Sequence, residues 1–151
     1  MPKTALEIKA TLENVRSFTL VPPYVFRVRQ TGGTEERDDI EVDPEEVDEV
    51  FGSKGTVNFK LKFDKHDKFE ATIQVLSQKE YSGTGWKRVA VFETRGLDLV
   101  EWKPTGAKVI AKSGTEFADA DISDKDGFSE YDEDGNCSVS ILELESRFVH
   151  A

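Results

Sequence analysis

The sequence predicts an all-β fold: one domain of antiparallel sheets, barrel- or sandwich-like, in two pseudo-symmetric halves with at most one short helix. Three observations predict it. Apolar residues recur at every second position in seven or more segments. Turns bearing glycine separate those segments: TGGT, FGSKG, SGTG, KPTG, KSG and DEDGN. Finally, ENVRSFTLVP (13–22) and RGLDLVEWKP (95–104) echo each other at constant offset, each with a β-rich run and a closing proline.

Taken in order, ALEIKATL turns Leu6, Ile8, Ala10 and Leu12 to one face and Glu7, Lys9 and Thr11 to the other, the pattern of a half-buried strand. YVFRVRQ does the same with Tyr24, Phe26 and Val28. DPEEVDEVF (43–51) is the one helix candidate, with Asp43 suited to cap it and Pro44 to its first position. VNFKLKF sets Val57, Phe59, Leu61 and Phe63 against Asn58, Lys60 and Lys62. FEATIQVL aligns Phe69, Ala71, Ile73 and Val75. RVAVFETRGLDLVEW and AKVIAK alternate likewise, and Trp86 and Trp102 read as core or rim aromatics. In CSVSILELESRFV the apolar positions are Val139, Ile141 or Leu142, Leu144 and Phe148; the slip in alternation predicts a bulge near the middle.

With 151 residues the chain can bury the core of one domain, taken here as 1–151. Its net charge of −10 disfavours nucleic acid and anionic membranes as partners. A single cysteine, Cys137, permits no intrachain disulfide and fits a reducing compartment. No apolar run is long enough to cross a bilayer as a helix, and MPKTALEIKA lacks the apolar core of a signal peptide. A cytoplasmic or nucleocytoplasmic protein is expected.

Charge is segregated along the chain. Residues 35–49 hold ten acids and one Arg; residues 116–145 hold eleven acids and one Lys. Between them, residues 54–69 carry five lysines and His66. Such runs are expected to be solvated strand faces and loops, or a bipolar surface for a protein partner. The stretch DISDKDGFSEYDEDGN (121–136) resembles a calcium loop only at first sight. With Gly127 as the turn glycine, the first ligand position is Ile122; with Gly135, the last is Ile141. Each register loses an obligatory oxygen, so an acidic loop between strands is expected. The catalytic inventory is thin: His66 and His150 lie near no nucleophile motif, and GSKGT (52–56) lacks the spacing of a phosphate-binding loop.

Several stretches together resemble the eukaryotic CXXC-motif-containing zinc-binding protein family, formerly a domain of unknown function. They are IKATLENV (8–15), GSKGTVNF (52–59), FETRGLDLVEWKP (92–104) and the long SGTEFADADISDKDGFSEYDEDGNCSVSILELESRFV (113–149). The resemblance implies two pseudo-symmetric halves and a zinc ion held by two CXXC knuckles on neighbouring hairpins within about 24–76, with the second half at about 87–149. Two residues between paired cysteines let both thiolates reach one tetrahedral ion.

This chain departs from that pattern. The knuckle positions align with Gln30 and Gly33 in RVRQTGGTEE, and with Asp64 and Asp67 in KLKFDKHDKF. All four thiols are absent. The expectation is therefore a non-enzymatic, cofactor-free protein, monomeric or weakly dimeric, that binds a protein partner; the alternative is a metal-handling protein using Asp64, His66 and Asp67. Without zinc, Phe59, Leu61 and Phe63 are expected to pack against Phe69, Ala71 and Ile73, and Lys60, Lys62 and Lys65 to meet Glu35, Glu36, Asp38 and Asp39.

Overall fold

The computed structural model describes residues 2–49 and 55–151. Fourteen strands span them: β1 Lys3–Glu13, β2 Val15–Val21, β3 Tyr24–Gln30, β4 Glu36–Val42, β5 Asp48–Glu49, β6 Thr56–Val57, β7 Phe59–Leu61, β8 Ala71–Gln78, β9 Lys87–Arg95, β10 Leu97–Lys103, β11 Gly106–Ala111, β12 Glu116–Asp121, β13 Phe128–Asp132 and β14 Cys137–His150. All pairings are antiparallel. A six-stranded sheet has the order β13-β14-β1-β9-β8-β7; two three-stranded sheets have the orders β10-β3-β4 and β12-β11-β2; β5 pairs with β6.

The chain runs one course twice. β1 to β4 followed by β7 and β8 has the same connectivity as β9 to β12 followed by β13 and β14. The halves interlock. The β3–β4 hairpin pairs with β10 of the second half, and the β11–β12 hairpin pairs with β2 of the first. Neither half completes its sheets without the other. The echo in sequence is an echo in backbone: β1 turns into β2 at Asn14 (φ 57°), and β9 turns into β10 at Gly96 (φ 76°). Asn and Gly are the residues that tolerate this left-handed region.

The inward residues of these strands form one core, with Leu6, Ile8, Phe18, Phe26, Ile73, Tyr81 and Phe92 fully buried. Phe92 meets Tyr24 and Phe26 edge-on, with ring centroids 5.2 and 5.1 Å away. Burial pushes the Tyr24 phenol up to about 12, and its hydroxyl donates to Gln78 Oε1 at 2.8 Å. Trp102 is buried, whereas Trp86 lies under the Arg147 guanidinium at 4.1 Å. The expected bulge in β14 falls at Glu143 (φ 55°), where the register against β1 slips.

Four expectations are corrected. Residues 43–47 are a turn, not a helix: Asp43 accepts the Glu45 and Glu46 amides, and Asn58 ties the turn to the sheet by donating to the Pro44 and Glu46 carbonyls. The end of that candidate helix, Val50 and Phe51, lies outside the described residues. Residues 57–63 are not one strand, because Asn58 accepts the Val75 amide at 2.7 Å and separates β6 from β7. Phe69 precedes β8 and is 50% exposed; the register pairs Phe59 with Ile73 and Leu61 with Ala71 instead. The acidic stretch 121–136 is not one loop between strands, for it contains β13.

Candidate functional site

Both knuckle segments keep tight four-residue turns. The Gly33 amide donates to the Gln30 carbonyl, and the Asp67 amide to the Asp64 carbonyl, each at 3.0 Å. The side chains have turned inward on their own loops. The Gln30 carboxamide folds over Gly33, with Oε1 3.0 Å from where a Cβ at 33 would sit. Asp64 Oδ1 accepts the His66 amide at 2.8 Å, and Asp67 Oδ2 accepts the Asp64 amide at 3.1 Å. Short acidic side chains commonly satisfy turn backbone in this way.

The two turns are joined by other chemistry. Phe63, 8% exposed, belongs to the core. Arg37 of β4 donates from Nη2 to the Phe63 carbonyl at 3.1 Å, and its guanidinium lies 5.4 Å from the Phe63 ring centroid. The Thr31 amide donates to the Gly96 carbonyl at 3.2 Å. Beside this junction lies a cavity of about 320 Å³ walled by Gln30, Thr31, Phe63, Asp67, Lys68, Phe69 and Arg95 among others. Of the four predicted positions, the structure brings Gln30 and Asp67 to this wall; Gly33 and Asp64 are not part of it.

A tetrahedral zinc needs four donors of thiolate, imidazole or carboxylate type. Here the donors are one carboxamide, one bare glycine and two carboxylates already bonded to turn amides. Among the described residues no three His, Cys, Asp or Glu converge on a point where a metal could sit. The residues present do not fit zinc.

The acids of 35–39 do not meet Lys60, Lys62 or Lys65. Glu35 pairs with Arg37, Glu36 with Arg29 and Arg27, and Asp38 and Asp39 with Lys103. The Lys103 ammonium holds the Asp38 carboxyl below the usual carboxylate range. Lys60 faces Asp48 and Glu70 instead. Strand pairing explains the difference: β3 lies between β4 and β10, so cations from β3 and β10 reach β4 first.

The second half has a counterpart of the knuckle pair at the β11–β12 and β13–β14 turns. There the Gly114 amide donates to the Ala111 carbonyl at 2.9 Å, and the Asn136 amide to the Glu133 carbonyl at 3.3 Å. A carboxylate joins the two turns. Asp132, 1% exposed, accepts from Ser113 Oγ at 2.5 Å, Thr115 Oγ1 at 2.8 Å and the Asp134 amide at 3.1 Å. The Ser113 hydroxyl, above all, holds this carboxyl below the usual range. This is what the acidic stretch 121–136 contributes in place of a calcium site. A serine–x–threonine opposite an acid-rich turn was the available sequence signal; Arg37, Lys68 and Arg95 gave none, since single exposed cations look alike in sequence.

Residues 5–149 match the family described as CXXC motif containing zinc binding protein, eukaryotic. The chain belongs to this family. It is 32% identical to the CXXC motif containing zinc binding protein of Homo sapiens, covering 99% of both chains. It is 33% identical to UPF0587 protein CG4646 of Drosophila melanogaster, covering 99% of this chain and 98% of that one. Two solved structures share the fold. A hypothetical protein from Plasmodium falciparum superposes with a TM-score of 0.91 at 28% identity, covering 99% of this chain and 100% of that one. C1orf123 superposes with a TM-score of 0.89 at 28% identity, covering 99% of each. The chain has one cysteine, Cys137, which opens β14 at the opposite hairpin pair, so it contains no CXXC motif.

Proposed function

We propose that this chain is a zinc-free member of the family that serves as a non-enzymatic, protein-binding module. The observation that carries the reading is the state of the knuckles: both turns persist, while their side chains are used up within the turns and a cavity borders them. Phe63 and Arg37 take over the cross-link between hairpins that a zinc ion supplies where four thiolates are present. Two further facts support a binding role over a catalytic one. The cavity wall contains no histidine, serine or cysteine, so it holds no serine–histidine or cysteine–histidine pair. Opposite charges are concentrated in separate stretches of the sequence, 35–49 against 54–69, and charge grouped by sign is a feature of surfaces that select partners electrostatically.

Elemental analysis tests the zinc part of the reading. The purified chain is expected to hold no stoichiometric zinc, and a chelator to leave its thermal midpoint unchanged. A fourfold variant, Gln30→Cys with Gly33→Cys, Asp64→Cys and Asp67→Cys, is expected to gain zinc, because both turns are kept and replacing Gln30 clears the space a Cβ at 33 needs. Stoichiometric zinc in the unaltered chain refutes the reading and points to Asp64, His66 and Asp67 as ligands. Affinity capture with quantitative mass spectrometry tests the module part, and a chain that retains nothing above a scrambled-surface control refutes it.

A further inference from the structure

The cavity beside the two turns holds two cations that stand outside the ion pairs of the neighbouring strands. On the neighbouring strands Arg27, Arg29, Arg37, Lys60 and Lys103 all sit in ion pairs. Lys68 and Arg95 do not pair with any acid among the described residues. Both instead approach one aromatic ring, with Lys68 Nζ 5.4 Å and Arg95 Cζ 5.7 Å from the Phe69 centroid. Phe69 is half exposed, and all three residues line the cavity. The acids in the same wall are engaged. Glu70 faces Lys60 at 3.9 Å, and Asp67 accepts the Asp64 amide. The wall therefore presents two cations that sit in no ion pair among the described residues and are held at an aromatic plate, beside a Glu70 that faces Lys60 and an Asp67 turned into its own loop.

We propose that this cavity is a carboxylate-binding subsite: Lys68 and Arg95 receive an Asp or Glu side chain from an extended acidic segment of a protein partner, and Phe69 covers its methylene groups. That the partner is a protein rests on the module reading above; the subsite itself rests on the cavity. Its size of about 320 Å³ lies at the small end of ligand pockets and suits one side chain. A carboxylate meets both cations without removing them from the ring, since the ring attracts cations by its face and repels anions. The charge of −10 on the whole chain selects further. A singly charged carboxylate is repelled less by that field than a phosphate dianion or a nucleic-acid strand. Neither cation is needed for the fold, because both are exposed and bonded to nothing buried.

The test uses the full chain, uniformly labelled with nitrogen-15, titrated with a fluorescein-labelled hexaglutamate; hexaglutamine, inorganic phosphate and a single-stranded DNA oligomer form the other arms. Hexaglutamate is expected to shift the amides of Thr31, Lys68, Phe69, Arg95 and Gly96 saturably, and more weakly as salt rises through about 0.15 M. Lys68→Gln combined with Arg95→Gln should weaken binding about tenfold or more, the loss of a well-formed charge contact. Lys112→Gln, on the opposite hairpin, should change it less than about twofold. Should the double variant lose stability, the single changes Lys68→Gln and Phe69→Leu give the same reading. Equal binding of hexaglutamine, phosphate or DNA, shifts at other lysines, or no change in the variants overturns the subsite. The two proposals separate cleanly: a partner captured equally by the double variant keeps the module and removes the subsite, whereas hexaglutamate binding without any captured partner does the reverse.

Discussion

Two hairpin pairs occupy equivalent places in the two halves, and they are held by different forces. At the first, Phe63 enters the core and Arg37 of the neighbouring hairpin spans its ring and carbonyl. At the second, Asp132 lies inaccessible between turns and binds two hydroxyls and a backbone amide. The backbone is alike at both, down to the four-residue turns. A scaffold of this kind fixes where hairpins must be joined but not the means. Apolar packing with a cation, and a hydrogen-bonded carboxylate, satisfy the same geometric demand in the two halves.

Six substitutions break or sharpen that comparison. Phe63→Ala should have the largest effect, about 3–5 kcal/mol by denaturant unfolding, since it removes a core aromatic and leaves a cavity. Should Asp64→Ala with Asp67→Ala cost more, those carboxylates are coordinating something and the first hairpin pair has been misread.

Asp132→Asn should lower the urea midpoint less than Phe63→Ala does, and it also changes the pH dependence. The folded carboxyl titrates below its ordinary value of 3.8. Its contribution is therefore present above about pH 4 and lost as pH falls through the folded value. Asp38 and Asp121 are also lowered, by Lys103 and Ser123, so the difference between variant and parent is the quantity to read. A stability gap between the two that fails to narrow below about pH 4 would show that Asp132 is not the group joining these turns.

Arg37→Ala should cost about 1 kcal/mol, a partly exposed cation–π contact plus one hydrogen bond. Arg37→Lys should recover little of it, because an ammonium cannot span ring and carbonyl as the planar fork does. Smallest of all, Asp64→Ala and Asp67→Ala should each stay within about 0.5 kcal/mol, as exposed turn residues do.

Alternation made much of this architecture legible. Leu6, Ile8, Tyr24, Phe26 and Val28 are buried as their spacing requires, and the slip in CSVSILELESRFV marks the bulge at Glu143. Strand faces were expected within the acidic runs, but alternation did not give the bounds of β4 and β12, because both are edge strands whose exposed positions outnumber their buried ones. The helix candidate failed for a related reason. Asp43 and Pro44 carry the signals of a helix start, but the same residues make a turn, and Asn58, fourteen residues away, pins it as one. At the site, the absence of any CXXC pair could be read from the single cysteine alone, whereas the assignment of Glu35, Glu36, Asp38 and Asp39 to cations other than Lys60, Lys62 and Lys65 depended on strand order.

What the sequence alone determined is local or periodic: the strand class, the repeat of Asn14 and Gly96, and the absence of any CXXC motif, each a property of residue type and spacing. Only the tertiary structure decided which charges meet, that the halves exchange hairpins, and that Lys68 and Arg95 share one ring, because each joins segments distant in the chain through sheet pairing that no short window of residues encodes.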